Sequence, residues 1–218
     1  MSFSDAYERA HDRICNLVDD QVADVEVPTC PGWTVKDVIA HLAGFFAAYR
    51  QGDPKEAFSK GWADAQVKDR QGRSLGDCIT EWTELLSDPG DLFESHLALV
   101  AVSDVLAHEQ DLRTALNRPG ARDDENIVPA VEMGLSFVDK KVQAERLPAL
   151  RIVTDEIDRS VGQGQPSAEL HTTTFDLFRA LHGRRTVDQV RAMDWDGDPQ
   201  PWMQAFFVFG PTQTEVEQ

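Results

Sequence analysis

The stretch SDVLAHEQDL at residues 103–112 constrains this chain more than any other, because it puts ionisable groups where the surrounding pattern asks for apolar ones. Taken in steps of three and four, Phe93, Leu97, Val100, Asp104, His108, Asp111 and Ala115 fall on one face of a helix. The stripe begins as core, turns polar in the middle and closes on a small residue. An unpaired carboxylate in an apolar interior costs several kcal/mol, so such groups find partners. Three in succession ask for a partner of high charge, and a divalent metal is the economical one. Asp104 and His108, at i and i+4, project toward one point from adjacent turns, as zinc-binding pairs do.

Helical periodicity supplies the neighbours of this stripe. A first amphipathic helix is read over 4–24, with Ala6, Ala10, Ile14, Leu17 and Val18 inward. VPTCPGW then breaks the pattern, and Thr34 followed by Asp37 reads as an N-cap with an acid in the first turn. A second helix follows, with Val35, Val38, Ile39, Leu42, Phe45, Phe46 and Tyr49 on its apolar side. Residues 51–73 read as an irregular loop with a helical turn, 74–87 as a third helix, 91–117 as a fourth and 127–145 as a fifth. After that the texture changes. Residues 148–170 carry β-branched stretches and a Gly/Gln/Pro turn, read as two or three strands. A helix at 168–182 is expected to end at Gly183, and a short last helix to hold Trp202, Phe206 and Phe207.

His41 lies between Val38 and Phe45 on the apolar side of the second helix. Adjacent bundle helices can bring it opposite Asp104 and His108, and metal sites in bundle cores are built this way. Two histidines and a carboxylate leave a coordination position open, the mark of a catalytic site. Asp111, one turn beyond His108, suits an outer role, accepting the imidazole's other N–H. The spacing leaves a plainer alternative open: Asp104 and His108 pair with each other, and His41 is an ordinary core histidine.

The motifs VPTCPGWTVKDVIAHLAG and SDVLAHEQDLRTALNRPG together resemble the mycothiol-dependent maleylpyruvate isomerase family, within the wider DinB-like metal-binding bundles. FDLFRALHGRRTVDQVRAMDWDGDP is similar to the Gly-Arg-containing segment of the small domain that follows the bundle in that family. The resemblance implies a mostly α fold: a DinB-like up-down four-helix bundle over 1–146, then a small α+β domain over 147–218. It implies a zinc or other divalent metal held by His41, Asp104 and His108, with Asp111 behind them. Asp104 stands where the isomerase has Glu, one methylene longer. Mycothiol, the low-molecular-weight thiol of actinobacteria, is the implied thiol cofactor. The implied reaction is isomerisation or S-transfer on a small electrophile. Beyond a metal-bound thiolate or water, no catalytic group is assigned. Arg184 and Arg185, after Gly183, can clamp a carboxylate of substrate or thiol, or instead cap the preceding helix. Arg113 on the fourth helix can serve substrate in the same way, or pair with a nearby Asp or Glu.

Two other readings stand beside this one: a non-enzymatic metal-binding or ligand-binding bundle, and a metal-dependent hydrolase with Asp111 or Glu109 as base. Cys30 reads as part of a structural loop, His96 as a core-edge or cavity residue of the fourth helix, and His182 as a C-terminal helix cation. His11 and His171 carry no partner signal. DWDGDP starts like a calcium loop, but Pro199 and Ala205 occupy its sixth and twelfth positions, which excludes an EF-hand. Over 218 residues the formal charge is −17 and the pI near 4.6, a surface that repels nucleic acid and anionic membranes. No apolar run approaches the ~20 residues that span a bilayer, and the first residues lack an apolar signal core. Three cysteines, an odd and sparse count, fit a reducing cytoplasm. The chain is expected to be cytoplasmic, as a monomer or homodimer, with a small-molecule substrate and a thiol as partners.

Overall fold

The computed structural model describes residues 2–52, 61–208, 210–213 and 215–216. Among these are eight α-helices and one four-stranded sheet. They form two compact units, Met1–Gly120 and Ala121–Gln218. No described helix is long and apolar enough to cross a membrane.

The N-terminal unit holds α1 (Phe3–Cys15), α2 (Val35–Arg50), α3 (Trp62–Asp69), α4 (Leu75–Ser87) and α5 (Ala98–Ala115). The four long helices α1, α2, α4 and α5 make a four-helix bundle, in which α2 packs on α4, α3 and α5, and α1 on α5. Three of them begin in capping boxes, Ser2 with Asp5, Thr34 with Asp37 and Ser74 with Asp77. The core is aromatic at its centre. Tyr7 meets Phe46 edge-on, its ring centroid 5.0 Å away, and its hydroxyl accepts a hydrogen bond from the Trp82 indole at 3.2 Å.

Two helices are shorter than their hydrophobic pattern. α1 stops at Cys15, where the Asn16 side chain donates to the Asp12 carbonyl at 2.8 Å and Asp19 accepts from the Gln21 amide at 2.9 Å. Such side chains compete with the helical backbone, and acids at a helix C-terminus oppose its dipole. Leu17 and Val18 are still buried, in turns rather than a helix. The expected fourth helix is split: a single 3-10 turn at Leu92–Glu94 precedes α5, and the Leu97 amide donates to the Ser95 hydroxyl at 3.1 Å between them. His96 therefore precedes the helix and is exposed, not a cavity residue. Of the irregular stretch 51–73, residues 53–60 lie outside the described residues, and 62–69 form α3.

The C-terminal unit contains α6 (Ile127–Ala144), β1 (Leu150–Val153), β2 (Asp158–Val161), β3 (Ala168–His171), α7 (Thr174–Leu181), α8 (Val187–Arg191) and β4 (Asp194–Asp196). Sheet order is β2-β1-β3-β4, with β1 and β3 parallel and both edges antiparallel. The helix at 127–144 is grouped with this sheet, in the unit that begins at Ala121. Two contacts explain the grouping. A Cβ on Gly134 of α6 would lie 3.0 Å from Leu181 of α7, so the helices approach closely. Asp139 of α6 accepts the Gly162 amide at 2.7 Å, just past β2.

The expected helix at 168–182 is corrected to a strand and a helix. Residues 168–171 pair with β1, and Thr173 starts α7 by accepting the Asp176 amide at 3.0 Å. Gly183 follows the C-cap with φ +75°, as expected. β4 falls in a stretch read as turns. The final helix is replaced by one 3-10 turn at Gln200–Trp202, although Trp202, Phe206 and Phe207 are buried as expected.

Candidate metal centre

α5 is buried on nearly every side, so its polar residues need partners inside the protein. Glu109, fully buried, takes two: Arg13 reaches it from α1 at 2.6–3.1 Å, and Arg113 from one turn on at 2.8–3.0 Å. Gln110 donates to the Gly120 carbonyl at 3.0 Å. The remaining ionisable residues of the helix are Asp104, His108 and Asp111.

His41, on α2, meets that face. Its Nε2 lies 3.3 Å from one Asp104 oxygen, and the His108 Nε2 lies 3.6 Å from the other. The two imidazole centroids are 5.0 Å apart, and one donor atom from each of the three residues falls within 4.8 Å of the others. Both histidines are engaged at the opposite nitrogen. The His41 Nδ1 lies 2.8 Å from the Gln66 amide oxygen. The His108 Nδ1 lies 3.1 Å from an Asp111 oxygen. With the N–H at Nδ1, as ligation through Nε2 requires, both Nε2 atoms present lone pairs on the side of the Asp104 carboxylate. Burial, the largest influence, lowers the His108 pKa despite the carboxylates nearby, and so favours its neutral, ligating form.

Three such ligand groups converging suit a cation, and the spacing fits one. Donors about 2.0–2.1 Å from a tetrahedral zinc stand ~3.3 Å apart. The residues therefore suit a divalent metal of the N/O-binding class. Access is from the Asp104 side, where that side chain is 31% exposed while both histidines are about 6%.

The loop between α1 and α2 closes the other side. Its two ends join through an isolated Glu26–Thr34 bridge, the Val27 N–H donates to the Trp33 carbonyl at 2.9 Å, and Gly32 at φ +85° makes the turn. It lays the Thr29 hydroxyl on Asp111 at 2.8 Å and the Cys30 thiol on the other Asp111 oxygen at 3.3 Å. Asp111, fully buried, is thus fixed by a hydroxyl, a thiol and the His108 imidazole. Trp33 stacks on His108 with 6.1 Å between centroids, and Trp62 of α3 meets His41 edge-on at 6.3 Å.

His41, Asp104, His108 and Asp111 are thus brought together in one unit. Arg184 and Arg185 are in the other. Arg184 donates to the His182 carbonyl at 2.6 Å and Arg185 to Asp176 at 2.7 Å, so both are engaged at the end of α7. Arg113 is spent on Glu109. His182 is buried, its Nδ1 2.8 Å from the Phe178 carbonyl, and His171 is 3.5 Å from Glu169. His11 lies 3.1 Å from the Thr83 hydroxyl. Sequence reasoning missed Gln66 and Thr29 and undervalued Cys30 and Trp33. The signals available were a Thr-Cys pair at a Pro-Gly turn and Gly44 on the apolar helix face.

Fold and site together define a mostly helical protein whose N-terminal bundle carries a His-Asp-His cluster with metal-ligand geometry. Residues 5–88 match the family model of the mycothiol maleylpyruvate isomerase N-terminal domain. Two solved structures share the fold. One is the mycothiol-dependent maleylpyruvate isomerase as a histidine-to-alanine mutant, with TM-score 0.57 and 13% identity. The other is the mycothiol-dependent maleylpyruvate isomerase, with TM-score 0.51 and 14% identity. Each likeness covers 84% of this chain and 87% of the other. No curated protein matches the sequence.

Proposed function

We propose that this chain is a metal-dependent, mycothiol-using enzyme that adds a thiol to a small electrophile, as an isomerase or an S-transferase. The observation that carries the reading is the convergence of the His41 and His108 Nε2 lone pairs on Asp104, with both Nδ1 atoms already engaged. His41, Asp104 and His108 would hold the metal, with zinc the best fit to the spacing. A divalent ion there supplies Lewis acidity, lowering the pKa of a thiol or water at the open position.

The protein's own residues prepare that chemistry. Asp111 and Gln66 set the imidazole tautomers. Trp33 and Trp62 flank the histidines and exclude water, strengthening local electrostatics. Asp104, the one partly exposed member, faces the arriving thiol and electrophile. In an isomerase the thiol sulfur adds to a conjugated alkene, the bond rotates and elimination returns the thiol; in a transferase the adduct leaves. The hydrolase reading loses support, since Glu109 is locked between two guanidiniums and Asp111 holds His108, Thr29 and Cys30. With a strongly acidic chain, the reading includes a small-molecule substrate and a cytoplasmic site of action.

The test is metal analysis of purified protein, followed by thermal shift with mycothiol or its inositol-glucosamine fragment and a panel of electrophiles with and without mycothiol. Stoichiometric metal lost in His41→Ala and His108→Ala, stabilisation by mycothiol and thiol-dependent turnover are expected. Absence of metal in the wild type, with no change in either variant, overturns the reading.

A further inference from the structure

Gln66 belongs to α3, outside the motifs that mark the metal cluster, yet its side chain is 94% buried against His41. We propose that Gln66 is a positioning residue for metal binding: its amide oxygen accepts the His41 Nδ1 proton and so commits Nε2 to the metal. The inference rests on the reading of His41, Asp104 and His108 as metal ligands.

Four observations carry it. The Nδ1 to oxygen distance is 2.8 Å, an ordinary strong hydrogen bond. The other end of the same amide, Nε2, is buried and has no hydrogen-bond partner among the described residues. The oxygen is therefore the end of this amide that meets a partner, and that partner is the His41 imidazole. Arg70 fixes the α3 backbone that carries Gln66, donating to its carbonyl at 3.2 Å while it pairs with Glu81 of α4 at 2.8 Å through two nitrogens. Lastly, α2 has a glycine where α3 crosses it. A Cβ on Gly44 would fall 2.5 Å from the Gln66 Cβ, closer than side chains can approach. Gly44 thus allows the close contact that brings the amide to His41, one turn away on the same helix. Nothing comparable is needed at His108, because Asp111 on its own helix does that work.

The test compares zinc affinity, by competition with a chromophoric chelator, in wild type, Gln66→Glu and Gln66→Met. Glu keeps an acceptor oxygen at this position and lacks the orphan donor. Met has similar length and no comparable acceptor. Gln66→Met is expected to bind zinc 10–100-fold more weakly, the usual cost of losing such an outer partner, and Gln66→Glu to retain or exceed wild-type affinity. Equal affinity in all three, or an equal loss in both variants, overturns the proposal. Should Gln66→Met fail to fold, imidazole nitrogen NMR of the metal-free wild type decides. His41 is expected to be protonated at Nδ1, and a predominant Nε2–H tautomer overturns the proposal. If wild type binds no zinc, the ligand reading fails, while the tautomer still reports separately on Gln66.

Discussion

Glu109 and Asp104 sit five residues apart on one helix, yet their surroundings give them opposite tasks. Glu109 is fully buried between Arg13 and Arg113, a triad in which every charge has a partner. Asp104 faces two imidazole lone pairs and is partly open. Removing one member of a buried pair costs about 3–5 kcal/mol because the remaining charge stays uncompensated. Since both arginines retain some exposure, Glu109→Ala is expected near 3 kcal/mol, read by urea unfolding, with zinc affinity unchanged. A loss of zinc binding with unchanged stability would reverse the two roles. The cysteines divide in the same way. Burial, with the Asp12 charge adding to it, pushes the Cys15 thiol up to about 11, and burial also raises that of Cys78. At pH 8 a thiol of that pKa holds about one thiolate in a thousand. Iodoacetamide at pH 8 should therefore leave Cys15 and Cys78 unmodified in the folded protein and alkylate them in urea, as mass spectrometry of the digested chain would record. Rapid native alkylation of Cys15 would contradict its raised pKa.

Between α2 and α3 a single missing methyl group controls the distance. Gly44→Ala puts a carbon where Gln66 already stands, at 2.5 Å, and α3 must move. Overpacking of this kind costs about 1–3 kcal/mol. The expected variant is folded, less stable in urea and weaker for zinc, because the Gln66 oxygen leaves His41; unchanged zinc affinity would mean that α3 adjusts without moving its amide. The same pair of helices shows what a sequence exposes. His41, Asp104, His108 and Asp111 were legible because helical periodicity alone places them on inward faces of α2 and α5. Gln66 was not, because α3 lies in a stretch with no strong period, and its place depends on a crossing that only Gly44 hints at. Likewise Thr29 and Cys30 reach Asp111 through a turn whose direction no local pattern states. Helix ends were misjudged where local side chains, such as Asn16 and Asp19, outcompeted a continuing apolar pattern. In the C-terminal unit, β3 has the composition of a helix start and becomes a strand through parallel pairing with β1, a long-range choice. The end of its helix α7 was legible from Gly183, but its start at Thr173 was not.

At the scale of the molecule, a −17 formal charge and a cluster of cation-seeking groups in the N-terminal unit suggest a coupling between metal and stability. The two Nε2 atoms stand 3.3 and 3.6 Å from the Asp104 oxygens. A cation held among them binds only the folded chain tightly, because the ligands come from two helices that unfolding separates. A ligand at 100 times its Kd then stabilises the fold by about 2.7 kcal/mol. Hydrogen exchange can locate the gain. Zinc is expected to slow exchange in α2, in α5 and in the loop at 25–35, whose Thr29 and Cys30 hold Asp111. Asp104→Asn, which keeps the shape and weakens the ligand, should abolish the slowing. Slowing confined to β1–β4 or α8, or persisting in full in Asp104→Asn, would mean that the ion binds elsewhere on an acidic surface. The same measurement with magnesium separates the two sources of affinity. A hard, oxygen-preferring ion should slow exchange little at a site with two imidazoles, whereas general charge neutralisation would make magnesium and zinc act alike.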